Sequence, residues 1–293
     1  MGHRIEGITS IWQGNEHSNL DDLLLRYQQS LARLKELGVR VPASSRLLEY
    51  EKRFSALLAQ TANSLLVPVN EEAEMLFCFR EMDEINLIVN SFHEEPTAQE
   101  MNRLRLLSSG SQNPHKEGMA RTRDAQFELC LRAEFAKAGA TIEMGEPDLR
   151  VSFAGQAFPL EAKRPASHRR FEDRLREAVG QLDRLQEDGV AALSLDRVIV
   201  GSGGYWSLEK ASELNAASFY LLKDYVDSNF GTLLKRVRGR KLAAVMLVLR
   251  QPFRARDTKT ALLGTAFLSY GPRAKDKVEE ALALLLQACL PKS

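Results

Sequence analysis

Eight consecutive apolar residues, Leu242 to Leu249 (LAAVMLVL), constrain the fold of this chain more than any other stretch. The run is far short of the roughly 20 apolar residues of a membrane helix. It offers no polar position to turn toward water, so it fits a strand covered on both faces, as in the sheets of α/β proteins. Val190 to Leu195 and Ala261 to Leu268 are two more short apolar runs. Around them lie segments with a helical period. Thr122 to Ala138 carries Phe127, Cys130, Leu131 and Phe135 on one face and ends at Gly139; Phe171 to Glu187 repeats through Leu175, Val179, Leu182 and Leu185; Lys275 to Leu290 closes the chain. The expectation is an α/β unit, a mixed central sheet flanked by helices.

The N-terminal part reads differently. Leu23, Leu24, Tyr27, Leu31 and Leu34 recur at helical spacing, and Phe54, Leu57 and Leu58 mark a second helix. Asn70 can cap a third, with Glu71 and Glu72 favourable in its first turn, and Thr97 with Glu100 has capping-box spacing for a fourth. Residues 108–118, SSGSQNPHKEG, then string together turn formers with no apolar anchor. Strand signals come only after that linker. Two domains are therefore expected: an all-helical one over 1–115 and the α/β one over 116–293. Charge divides similarly, with 12 Lys and Arg against 17 Asp and Glu in residues 1–120, and 28 against 22 thereafter. The acidic helical part suits dimerisation, partner binding or regulation better than nucleic-acid binding.

Within the second part, Gly145 to Pro165 reads GEPDLRVSFAGQAFPLEAKRP. It places Pro147 and Asp148 before one strand-like run and Glu161, Ala162 and Lys163 at the end of the next. Side chains alternate along a strand, so Glu161 and Lys163 share a face and Ala162 points away. A turn at Gly155 folds the first run back and brings Asp148 beside Glu161. Two clustered carboxylates raise each other's pKa unless a cation intervenes, and oxygen ligands suit Mg2+ or Mn2+. That is the chemistry of metal-assisted phosphodiester hydrolysis. The structural alternative is a buried Glu161–Lys163 ion pair, which is costly to desolvate and poor as a stabilising device.

These residues resemble the motif of the PD-(D/E)xK nuclease superfamily, with its restriction-endonuclease-like fold, over about residues 118 to 270. The resemblance implies a Mg2+-dependent endonuclease acting on DNA, with Mn2+ as a substitute. Asp148, Glu161 and the Ala162 carbonyl would hold the metal, and Lys163 would orient or help deprotonate the attacking water. An acid on the preceding helix, here Glu128, would be a third carboxylate, and a Gln on the following helix, here Gln181, would join the site. Nucleases of this kind serve restriction, repair or anti-phage defence. The rival readings are an inactive module of this fold that binds nucleic acid or assembles a complex, and an RNase of the same fold.

Arg164, His168, Arg169, Arg170 and Arg174 follow the Lys163 run directly, and Arg164, Arg169 and Arg170 are the expected phosphate contacts. Lys235, Arg236, Arg238, Arg240 and Lys241 form a second basic cluster, equally readable as a solvated face. The segment GSGGYW, 201–206, lacks the Lys and Ser/Thr of a phosphate-binding loop; it reads as a mobile loop from which Tyr205 or Trp206 could stack on a base. Cys78, Cys130 and Cys289 sit among apolar neighbours without metal or disulfide spacing, which suits reduced core thiols and a cytoplasmic location. No membrane partner is expected, and a homo-oligomer through the helical part is.

Overall fold

In the computed structural model, the run beginning at Leu242 forms the long central strand β7 (Leu242–Ala255), and it is covered on both faces. Ala244, Met246 and Val248 point into one apolar cluster, and Val245, Leu247 and Leu249 into another. The structure describes residues 8–16, 20–63, 69–110, 120–199, 206–237, 239–257, 261–271 and 276–289.

The other strands are β1 (Ile8–Glu16), β2 (Thr141–Met144), β3 (Leu149–Phe153), β4 (Gln156–Lys163), β5 (Gly189–Ser194), β6 (Trp206–Leu208) and β8 (Ala261–Tyr270). They form one mixed sheet in the order β1-β8-β7-β5-β4-β3-β2, with β6 paired to the far end of β7. The β4–β5 and β5–β7 pairs are parallel, while β2–β3, β3–β4, β7–β8 and β1–β8 are antiparallel. Ala154 and Gly155, both at positive φ, make the two-residue turn between β3 and β4, the geometry that matches the twist of a tight hairpin. Gly189 opens β5 where a Cβ would lie 2.6 Å from the Pro159 carbonyl oxygen, so the β4–β5 approach needs glycine there.

Helices α6 (His168–Leu185), α7 (Leu214–Asn229) and α8 (Gly231–Arg236) cover one face through Phe171, Leu175, Leu182, Leu222, Val226 and Leu234. The other face carries α1 (Leu20–Glu36), α2 (Arg46–Asn63), α3 (Val69–Asn90), α4 (Ala98–Leu107), α5 (Ala120–Lys137) and α9 (Lys277–Ala288). The capping box of α4 forms as its spacing predicts, Glu100 N bonding Thr97 Oγ1 and Thr97 N bonding Glu100 Oε2. Among the described residues no helix is long and apolar enough to cross a membrane.

The N-terminal part departs from the sequence expectation in two ways. It is not all-helical: β1 pairs along its length with β8, at the sheet edge. Its Ile8, Thr9, Ile11 and Trp12 have strand propensity, but an edge strand paired across about 250 residues carries no helical period to reveal it. The division near Ser108 also separates chain segments, not cores. Leu23, Phe54, Leu76, Phe79 and Ile85 belong to the same apolar cluster as Phe127, Leu149, Leu160 and Met246. Residues 111–118 of the expected linker lie outside the described residues, as does the Asn70 side chain.

Helix α3 shows why. It is buried on nearly all sides, and Arg80, Glu81, Asp83 and Glu84 go inside with it. Buried charges need partners. Glu81 meets Arg46, Arg80 and Arg123; Glu84 meets Arg164 and Gln126; Asp83 meets Arg250. These arginines, despite the burial that would raise its pKa, hold the Glu81 carboxyl well below the usual range, Arg123 most strongly. The network joins α2 and α3 to α5 and the sheet.

Candidate active site

At the end of β4, strand alternation and hairpin register act together. The β3–β4 pairing ends at Leu149 opposite Leu160, and one step further brings Asp148 level with Glu161. Asp148 Oδ2 accepts from the Ala162 backbone N–H at 2.9 Å and from Lys163 Nζ at 3.2 Å, and Lys163 Nζ donates to Glu161 Oε2 at 3.4 Å. Leu160 and Ala162 point into the core on the opposite face. The sequence reading of this hairpin therefore brings together the three side chains it named.

Glu128 joins them indirectly. It lies buried on α5, and Arg103 of α4 donates to its Oε2 at 2.5 Å while lying 3.9 Å from Asp148 Oδ1. Five ionisable side chains, acidic and basic by turns, thus follow one another in a line: Glu128, Arg103, Asp148, Lys163 and Glu161. Burial, reinforced by the neighbouring Asp148, pushes the Glu161 carboxyl up to about 8 and that of Glu128 up to about 7. Burial alone would lower the Lys163 ammonium pKa, but Asp148 and Glu161 outweigh it and raise it.

Asp124, one helical turn before Glu128, closes the other side. Its Oδ1 accepts from the Arg164 backbone N–H at 2.8 Å and its Oδ2 from Arg174, tying α5 to the end of β4 and the start of α6. Neither Asp124 nor Arg103 was singled out from sequence. The spacing of Asp124 to Glu128 on one helix face was a usable signal; nothing local marks Arg103.

Arg164 is corrected from phosphate contact to structural ion pair. It is 3% exposed, with its guanidinium bonded to Glu84 and Asp196. Strand alternation turns it away from Lys163 and into the charged network under α3. Arg169 and Arg170 are exposed in the first turn of α6, and Arg170 lies 3.6 Å from Asp173. His168 opens that helix and stacks on Phe230 at 5.1 Å between ring centres. Gln181 lies more than three turns further along α6; its buried Oε1 has no hydrogen-bond partner, and no described bond joins Gln181 to Asp148, Glu161 or Lys163.

In the second basic cluster Lys241 pairs with Asp188 at 3.9 Å, and the side chains of Lys235, Arg236 and Arg238 lie outside the described residues. Tyr205 and residues 201–204 lie outside them as well. Trp206 starts β6 and packs partly buried against the core, so it is not a free stacking platform. Cys78, Cys130 and Cys289 are free and buried.

A divalent cation at this place would meet only oxygen donors: Asp148, Glu161 and the Ala162 carbonyl, with Glu128 held by Arg103. Glu161 is fully buried, and its Oε1 has no hydrogen-bond partner, which is costly unless something else satisfies it. Among the described residues no three His, Cys, Asp or Glu side chains surround one point. Side chains would then supply two carboxylates, leaving water or a substrate phosphate to complete the shell, a coordination that Mg2+ commonly adopts. On these terms the residues fit Mg2+ or Mn2+. Comparisons of the chain with protein-family models, curated proteins and solved structures return no match.

Proposed function

We propose that this chain is a metal-dependent nuclease of the PD-(D/E)xK type that hydrolyses phosphodiester bonds in DNA. One observation carries the reading: two paired strands bring Asp148 and Glu161 each within hydrogen-bond reach of Lys163, and a buried carboxyl oxygen of Glu161 has no partner. A divalent ion bound there supplies Lewis-acid stabilisation and a more acidic water. Asp148 and Glu161 hold that ion and keep Lys163 charged. Lys163 orients the attacking water and offsets charge on the phosphate in the transition state. Exposed Arg169 and Arg170 neutralise flanking phosphates without reading sequence.

Lys163 bridging both carboxylates is also what a closed structural triad looks like, and this favours the second reading, an inactive module that binds nucleic acid or assembles a complex. The deciding experiment incubates the full chain with supercoiled plasmid, linear DNA and RNA in Mg2+, Mn2+, Ca2+ or EDTA. DNA cleavage in Mg2+ or Mn2+, absent in Ca2+ and EDTA, is the expected result. RNA cleavage alone reassigns the substrate; binding without cleavage of either supports the inactive module.

A further inference from the structure

We propose that Arg103 is the resident counter-cation of the metal site, and that a divalent ion binds by displacing its guanidinium from Glu128 and Asp148. The inference rests on the metal-dependent reading above and adds a residue that lies outside the motif, on a helix of the N-terminal part.

The geometry separates the two cations of the site. Lys163 is buried, with its side chain 6% exposed, and its ammonium lies between Asp148 and Glu161. Its departure would leave the fully buried Glu161 without a cation. Arg103 is 23% exposed, so its head group has a path to water. Its hold on Asp148 is a 3.9 Å ion pair, too long for a hydrogen bond, while its hold on Glu128 is a 2.5 Å hydrogen bond. Asp148 offers Oδ1 to Arg103 and Oδ2 to Lys163. Removing the guanidinium therefore frees Asp148 Oδ1 for the ion and takes away a positive charge that would repel it, while Lys163 stays in place.

The movement is confined to one side chain. Helix α4 is fixed by its capping box, and Glu100 in that box accepts from Arg132 of α5 at 2.6 Å. A long, flexible arginine on a fixed helix can swing to the rim without refolding. Arg103 thereby sets the metal concentration at which the site fills, which places the N-terminal part in control of the site's occupancy.

Calorimetric titration of Mn2+ into the full chain, without nucleic acid, tests this on the wild type, Arg103→Gln and Arg103→Lys. Arg103→Gln removes the competing charge, and its Mn2+ affinity is expected to rise about tenfold or more. Arg103→Lys keeps the charge but loses the planar fork that grips Glu128, so it should fall between the two. Methylguanidinium added to Arg103→Gln should weaken Mn2+ binding again, an effect that a merely structural arginine would not produce. Equal or weaker Mn2+ binding by Arg103→Gln, with measurable binding by the wild type, overturns the proposal. Should only Arg103→Lys fold, tighter binding than wild type supports it and unchanged binding overturns it. If neither wild type nor variants take up Mn2+, the metal-dependent reading itself has failed, and Arg103 with it.

Discussion

Lys163 Nζ donates to Asp148 Oδ2 at 3.2 Å, across the β3–β4 pair and 15 residues back in the chain. The same ammonium lies 3.4 Å from Glu161 Oε2. It is thus the hydrogen-bond donor shared by two carboxyl groups, Asp148 and Glu161, at the end of one hairpin.

Replacing Lys163 tests whether that relationship serves chemistry. Lys163→Ala is expected to lower DNA cleavage at least about 100-fold while keeping nucleic-acid binding, because the residue acts on the reacting water and phosphate. Arg169→Ala with Arg170→Ala should instead weaken binding and flatten its dependence on salt. A steep loss of Tm in Lys163→Ala, with cleavage per folded molecule unchanged, would assign the lysine to structure.

Arg164→Met should behave in the opposite way. It strands Glu84 and Asp196 in the core, and breaking a buried pair on one side costs about 3–5 kcal/mol. Thermal unfolding is expected to drop by roughly 10 °C. A variant as stable as wild type would mean that the pair is solvated in solution.

A fragment beginning near residue 116 should not fold by itself. It would lack Glu81 and Glu84 for Arg123 and Arg164, and it would expose the sheet face that α3 covers. Gel filtration and circular dichroism of the fragment are the check; a monodisperse, cooperatively unfolding fragment would contradict the shared core.

The metal-free protein should lose stability as pH rises. The Glu161 carboxyl moves from an ordinary 4.5 to about 8 on folding, through burial first and Asp148 second, so the native state holds a proton that the unfolded chain releases. Its contribution is complete below the ordinary value and disappears as pH passes the folded one. In EDTA, Tm should therefore fall between about pH 4.5 and pH 8, and Glu161→Gln should flatten that fall. Identical pH profiles for the two proteins would show that Glu161 titrates normally.

The sequence by itself determined what is local. Uninterrupted apolar character made β7 a strand covered twice, Thr97 and Glu100 fixed the start of α4, and a two-residue turn at Gly155 set the register that pairs Asp148 with Glu161. Periods of two and of 3.6, and turns of a few residues, depend only on near neighbours. Tertiary structure alone decided the rest: β1 at the sheet edge, α3 buried with its charges, Arg164 turned inward, and Arg103 reaching Glu128 from another helix. A charged residue reads as solvent-facing in any periodic pattern. Whether it is instead buried depends on a counter-ion brought to it by folding, here 80 residues away for Arg164 and Glu84 and 25 for Arg103 and Glu128.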